Sequence, residues 1–175
     1  MYANATDLNF DILFQGDILK NFPFFVFPEK FKSLTENDLI IEASQKTVGG
    51  EQPITITAKL TSVILLSQTC DIQQRENVII APVYTIQTFK ESGILTENKI
   101  DQVKKRRYGY LFYLPKLDGV LDDSIAYLQT MHYLPKDFVL NYKNNKILTM
   151  SDWGRHHLAW ALSNYFGRPI EDKKL

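Results

Sequence analysis

The chain has 175 residues, with 20 basic and 20 acidic side chains and a formal net charge of zero. That balance excludes the broad basic footprint of a protein that coats nucleic acid and leaves room only for a local patch. One cysteine excludes an internal disulfide framework and suits a reducing, cytoplasmic compartment.

The N-terminus has no basic start followed by an apolar run, so no signal peptide is expected. No stretch approaches the roughly 18 apolar residues of a spanning helix, so no membrane is expected either. The length suits one domain, residues 1–175, with a β core over about 11–140 and a terminal helix over about 151–166.

In chain order, Asp11 to Leu19 predicts two short strand halves meeting at Gly16. Phe22 to Phe27, broken by Pro23 and stopped by Pro28, predicts an edge strand or extended arm. Val48-Gly49-Gly50 is a turn signal, so 39–48 and 53–60 are expected to pair as a hairpin. Within the second arm, Ile54, Ile56 and Ala58 alternate with Thr55, Thr57 and Lys59, the pattern of a half-buried strand.

Val63 to Leu66 and Val78 to Val83 are continuous apolar, largely β-branched runs. Strands of that kind are buried on both faces. Between them, residues 67–77 are polar and predict a hairpin or loop at a strand end, a usual place for functional groups. Pro82 lacks a backbone donor, which predicts an edge or a bulge.

Residues 86–107 are expected to be helical in part, with Thr96 as cap, Glu97 in the first turn and Lys104 to Arg107 at the negative end. Tyr108 to Leu114 and Ser124 to Leu134 read as strands, the second with Ile125, Tyr127, Gln129, Met131 and Tyr133 on one face. Pro135 to Asn145 reads as connecting structure. Ser151 or Asp152 starts a helix to about Phe166, which Gly167 and Pro169 stop. Leu158, Ala161, Leu162 and Tyr165 form its apolar stripe, with Trp153, His156 and Trp160 opposite. Burial on both sides is the simpler reading; a partner covering the two tryptophans is the other. The sum is a mainly β, α+β chain, expected to form a small β-barrel with a middle and a C-terminal helix.

Three chemistries compete. Cys70 and Asp71, with one of His132, His156 and His157 as base and His157 the one chosen, have the residue types of a Cys–His–Asp enzyme. The bland alternative is a buried, inert cysteine with Asp71 capping a turn. Adjacent His156 and His157 point about 100 degrees apart on a helix and so do not share an ion; no metal and no cofactor is expected. Lys104, Lys105, Arg106 and Arg107 run straight into Tyr108 and Tyr110, combining phosphate-pairing charge with stacking faces for single-stranded nucleic acid. Gln68 and Arg75 of the polar connector would extend that surface. The run partly matches the RNA-recognition strand pattern, with Arg107 at its glycine position.

Gly16-Asp17-Ile18, then SVILLSQTCD over 62–71, then VIIAPVYT over 78–85, resemble in that order the MazF/PemK-like toxins. The resemblance covers about 11–85 and implies a small SH3-like barrel, usually dimeric, in a family that cleaves single-stranded RNA without a metal. The family's catalytic arginine falls at Thr61 or Ser62 here, and its threonine at Tyr84 or Thr85. Without that arginine to stabilise charge developing on phosphate, the cleavage activity does not carry over. The expectation is therefore a barrel that binds RNA in a toxin–antitoxin or defence setting. An enzyme using Cys70, or an interaction module whose Trp153 and Trp160 meet a protein partner or a second copy, are the alternatives.

Overall fold

A computed structural model describes residues 1–3, 9–25, 38–47 and 50–167. Strands β1 (Ile18–Phe25), β2 (Asp38–Thr47) and β3 (Gly50–Leu65) come first, then helix α1 (Thr69–Gln74) and β4 (Asn77–Thr85). Helices α2 (Ile86–Glu91) and α3 (Glu97–Lys104) precede β5 (Leu111–Leu114), β6 (Ser124–Tyr127) and β7 (His132–Pro135). Helix α4 (Lys136–Leu140), β8 (Lys146–Leu148) and α5 (Asp152–Phe166) complete the described order.

The fold is α+β. Its described strands pair antiparallel in one sheet of order β5-β6-β4-β3-β1-β8, with β2 added to β3 and β7 to β4. Pairing closed into a barrel is not seen among the described residues. No helix among them is long and apolar enough to cross a membrane.

The apolar runs are buried on both faces, as their composition requires. Val63, Ile64 and Leu65 are all fully buried. Ile64 joins Ile18, Ala81, Val83 and Leu158 of α5 in one core, while Val63 and Leu65 join Leu19, Ile80 and Val139 of α4 in another. Each such side chain contributes roughly 1.5–3 kcal/mol of transfer free energy. A third cluster packs α2 and α3, through Phe89, Ile100 and Val103, on Leu111 and Ile125.

The hairpin expected near 48–50 forms, with Thr47 opposite Gly50. Of the alternation expected in its second arm, Ala58 is buried and Lys59 exposed, while Leu60 breaks the pattern by being exposed. The side chains of 53–57 lie outside the described residues, as do Val26, Phe27 and Pro28.

Several expectations need correction. Residues 11–15 are not a strand: the chain turns through Gly16, whose φ of +84° favours glycine, and an added Cβ would lie 2.7 Å from Met150 Sδ. The 67–77 connector is not a loop but carries α1, held by Ile72 in the second core and by an Asp71–Arg75 pair one turn apart. The strand expected over 124–134 breaks into β6, a short 3-10 turn at Leu128–Thr130, and β7. The break has a cause in β4. Asn77–Ile80 of β4 pair with β7 and Val83–Thr85 pair with β6, and Pro82, which has no donor to give, falls between the two. The 135–145 connector holds α4, and β8 was not anticipated.

Burial of Lys146 in β8 follows from one partner. Its Nζ donates to Asp17 Oδ2 at 2.9 Å, with both side chains fully buried, and also to the carbonyls of Ile12 and Asn9. Phe14 N donates to the same carboxylate oxygen. Burial pushes the Asp17 carboxyl above its usual range, against the pull of these donors and of Lys146.

Candidate nucleic-acid interface

The basic run ends α3. Arg106 N donates to Val103 O at 2.8 Å and Arg107 N to Gln102 O at 3.0 Å. These are the two bonds of a Schellman cap. The residue that such a cap places in the left-handed region is usually glycine. Here it is Arg106, with φ of +58°. A non-glycine residue there costs on the order of 1 kcal/mol, and strain of that kind is kept where the side chain is needed.

The Arg106 side chain turns to α5. Its Nη1 meets His157 Nδ1, and its guanidinium lies 6.0 Å from the Trp153 ring centre. A guanidinium only donates, so Nδ1 accepts and the imidazole proton sits on Nε2. Trp153 packs edge-on against the same imidazole, with ring centres 4.0 Å apart. Partial burial, then the charges of Arg106 and His156, hold His157 below the ordinary histidine value.

Beside this contact, a cleft of about 410 Å³ opens between the turn after α3 and α5. Arg106, Tyr108 and Gly109 form one wall; Trp160 and Asn164 line the other. Its volume falls in the range of about 300–1,000 Å³ typical of ligand clefts. Trp153 and Trp160 are 58% and 55% exposed, so α5 is buried on one face only and the expected double burial does not hold. Ser151 caps the helix through Gly154 N, and Leu158 anchors it in the first core. The two tryptophans are consequently held rigidly on its outer side.

The other cations differ in freedom. Lys105 and Arg107 are exposed. Lys104 is tied down: its Nζ lies 3.5 Å from Asp123 Oδ2 and 5.4 Å from the Tyr113 ring centre. The Tyr113 hydroxyl donates to Asp123 Oδ1 at 2.6 Å. That bond holds the Asp123 carboxyl below its usual range, while burial and the same bond push Tyr113 up to about 12. Tyr110 packs against Tyr108 and Tyr127 over the third core and does not line the cleft.

The structure does not bring Cys70 and His157 into a bonded pair. Cys70 is exposed on α1, with Sγ 3.8 Å from Gln68 Oε1, so the buried, inert cysteine is not found. Asp71 pairs with Arg75 at 2.9 Å instead of capping a turn through its side chain. Gln68 and Arg75 flank α1 at the start of β4, whereas the basic run is reached from its far end through β6 and β5. The two halves of the expected surface thus precede different strands, β4 and β5, with β6 between them in the sheet. Of the positions matching the toxin catalytic residues, Thr61 Oγ1 lies 3.5 Å from Val83 O, and Thr85 caps α2 by accepting from Thr88 N. Among the described residues no group of three His, Cys, Asp or Glu side chains could hold a metal ion.

Sequence reasoning assigned Trp160 to a possible protein interface and missed Asn164 altogether. The available signal was the helical spacing of Trp153, His157, Trp160 and Asn164, a stripe three and four residues apart. No protein-family model and no curated protein sequence matches the chain.

Proposed function

We propose that this chain binds single-stranded RNA in the cleft between the end of α3 and α5. In this reading Tyr108 and Trp160 stack unpaired bases, Arg106 pairs a phosphate or stacks beside them, and Lys105 and Arg107 follow the backbone. The observation that supports it most is the meeting of a strained arginine and two aromatic rings in one cleft flanked by free cations. The antiparallel sheet is then that of a small SH3-like barrel of the MazF/PemK kind, working in a toxin–antitoxin or defence setting. RNA cleavage is not part of the reading, because Thr61 or Ser62 stands at the arginine position and the Thr85 hydroxyl is spent on capping α2.

The chain has two tryptophans, both exposed and both on α5. Intrinsic fluorescence therefore reports on the cleft directly. Titration with an unstructured RNA oligomer should quench it saturably, and Trp160→Leu should weaken binding by about 1–3 kcal/mol, the usual worth of one stacked base. Quenching and affinity unchanged in Trp160→Leu would remove the cleft from the account.

A further inference from the structure

A second cavity, of about 890 Å³, shares no lining residue with the RNA cleft. It sits where β4 changes partners. The 3-10 turn after β6 leaves the sheet there, and Tyr127, Gln129, Met131 and Tyr133, expected to share one face of a continuous strand, line a hollow. The hollow is open to solvent, with Tyr133 and Ile94 exposed on its rim and Phe24 and Phe89 buried at its floor. An apolar cleft of this size with a few polar groups is the form of a ligand site.

The chemistry of the wall selects the ligand. Rings of Phe24, Phe25, Tyr84, Phe89, Tyr127 and Tyr133 are prominent in it, with Ile94, Met131 and Leu134 adding aliphatic surface. Phe89 meets both Tyr84 and Tyr127 edge to face, with ring centres 5.9 and 6.0 Å apart, so ring faces and edges are both presented inward. Among the described residues the lining contains no Asp, Glu, Lys or Arg. An ionised ligand would lose its hydration there with no counter-charge to replace it. Besides the tyrosine hydroxyls, the polar groups of the wall are the hydroxyls of Ser92, Thr130 and Thr88, the last paired with Thr85, the His132 imidazole, and the Gln129 amide, whose oxygen accepts from Tyr127 OH at 2.9 Å. The His132 ring lies tilted against that of Phe24, with ring centres 4.1 Å apart, and burial lowers its pKa, which favours the uncharged imidazole.

We infer that this cavity binds a neutral, flat, aromatic or heteroaromatic small molecule, stacked among the rings with its polar edge toward Gln129. The site is separate from the RNA cleft, and the inference stands or falls without it.

The test uses the neutral fluorophore N-phenyl-1-naphthylamine, which brightens in apolar surroundings, added to the full chain. Saturable binding at one molecule per chain is expected. Two variants of exposed wall residues probe the place: Tyr133→Asp brings a carboxylate into the lining, and Thr88→Trp fills it. Each should weaken binding about tenfold or more while leaving the melting temperature near wild type. The sulfonated analogue, 1-anilinonaphthalene-8-sulfonate, should bind more weakly than the neutral probe. Absence of saturable binding, or binding that both variants leave intact, would overturn the inference. Self-association abolished by the same variants, without uptake of the probe, would assign the cavity to a second copy and overturn it equally.

Discussion

Arg106 and His157 stand 51 positions apart in the chain and meet side chain to side chain across the seam between the end of α3 and α5. The contact is bought with backbone strain, since Arg106 occupies the left-handed position of a helix cap. It also sets the guanidinium beside both the Trp153 ring and the cleft that Trp160 lines.

Replacing Arg106 by glycine separates stability from binding. Glycine relieves on the order of 1 kcal/mol of strain, against the loss of an exposed contact worth less than that. Arg106→Gly should therefore melt at or above the wild-type temperature and yet bind RNA about tenfold more weakly. Arg106→Ala keeps the strain and loses the contact, so it should melt below both. Differential scanning fluorimetry of the three proteins, with RNA titrations alongside, checks the order.

Acidification should tighten RNA binding through His157. Its folded pKa lies below the ordinary 6.5, so the unfolded chain takes up the proton first as pH falls. His157 thus supports stability above about pH 6.5 and loses that support as pH drops toward its folded value. Bound phosphates favour the protonated ring, so binding draws in a proton in this window. RNA affinity measured at about pH 7.5 and about pH 5.5 should rise on acidification, and His157→Gln should flatten the rise. His132 is lowered in the same direction, so the difference between wild type and variant carries the result.

The buried Asp17–Lys146 pair joins the turn before β1 to β8 and makes a stability prediction independent of function. Lys146→Met leaves the Asp17 carboxyl buried without its cation and should cost about 3–5 kcal/mol in urea denaturation. Asp17→Asn combined with Lys146→Met should cost less than the two singles summed, because the variants share one interaction. The raised Asp17 pKa gives a sign as well. A carboxyl raised by folding contributes most below its unfolded value and least above its folded value. Lys146→Met should accordingly recover part of its loss on acidification. Additive costs with no pH dependence would show that the pair is not coupled.

How much of this was legible in the sequence differs by element. Val63 to Leu66 could only be a doubly buried strand, because each residue is apolar and no polar face remains. The hairpin through Val48-Gly49-Gly50 was equally plain from its turn residues. Helix α1 was not, since six residues with one buried side chain, Ile72, carry no period. Strand β8 hid behind Lys146, a residue that enters a core only because Asp17 waits 129 positions away. In α5 the spacing correctly set Trp153 and Trp160 opposite Leu158. Whether a second layer covered them is a property of the whole fold and is absent from the helix itself. The basic run was visible as composition, but Lys104 is spent on Asp123 and Tyr110 on the third core. That distinction needs contacts the local sequence does not contain.

The salt dependence of RNA affinity tests the central claim most directly. Retention of a labelled, unstructured RNA would be measured across a range of salt for wild type and for the double variant Arg106→Ala, Arg107→Ala. Each phosphate contact on a single strand contributes about 0.7 to the slope of log affinity against log salt. The account predicts weaker binding by the double variant and a slope shallower by about 1.4, the loss of two such contacts. Wild-type affinity and slope in the double variant would contradict it.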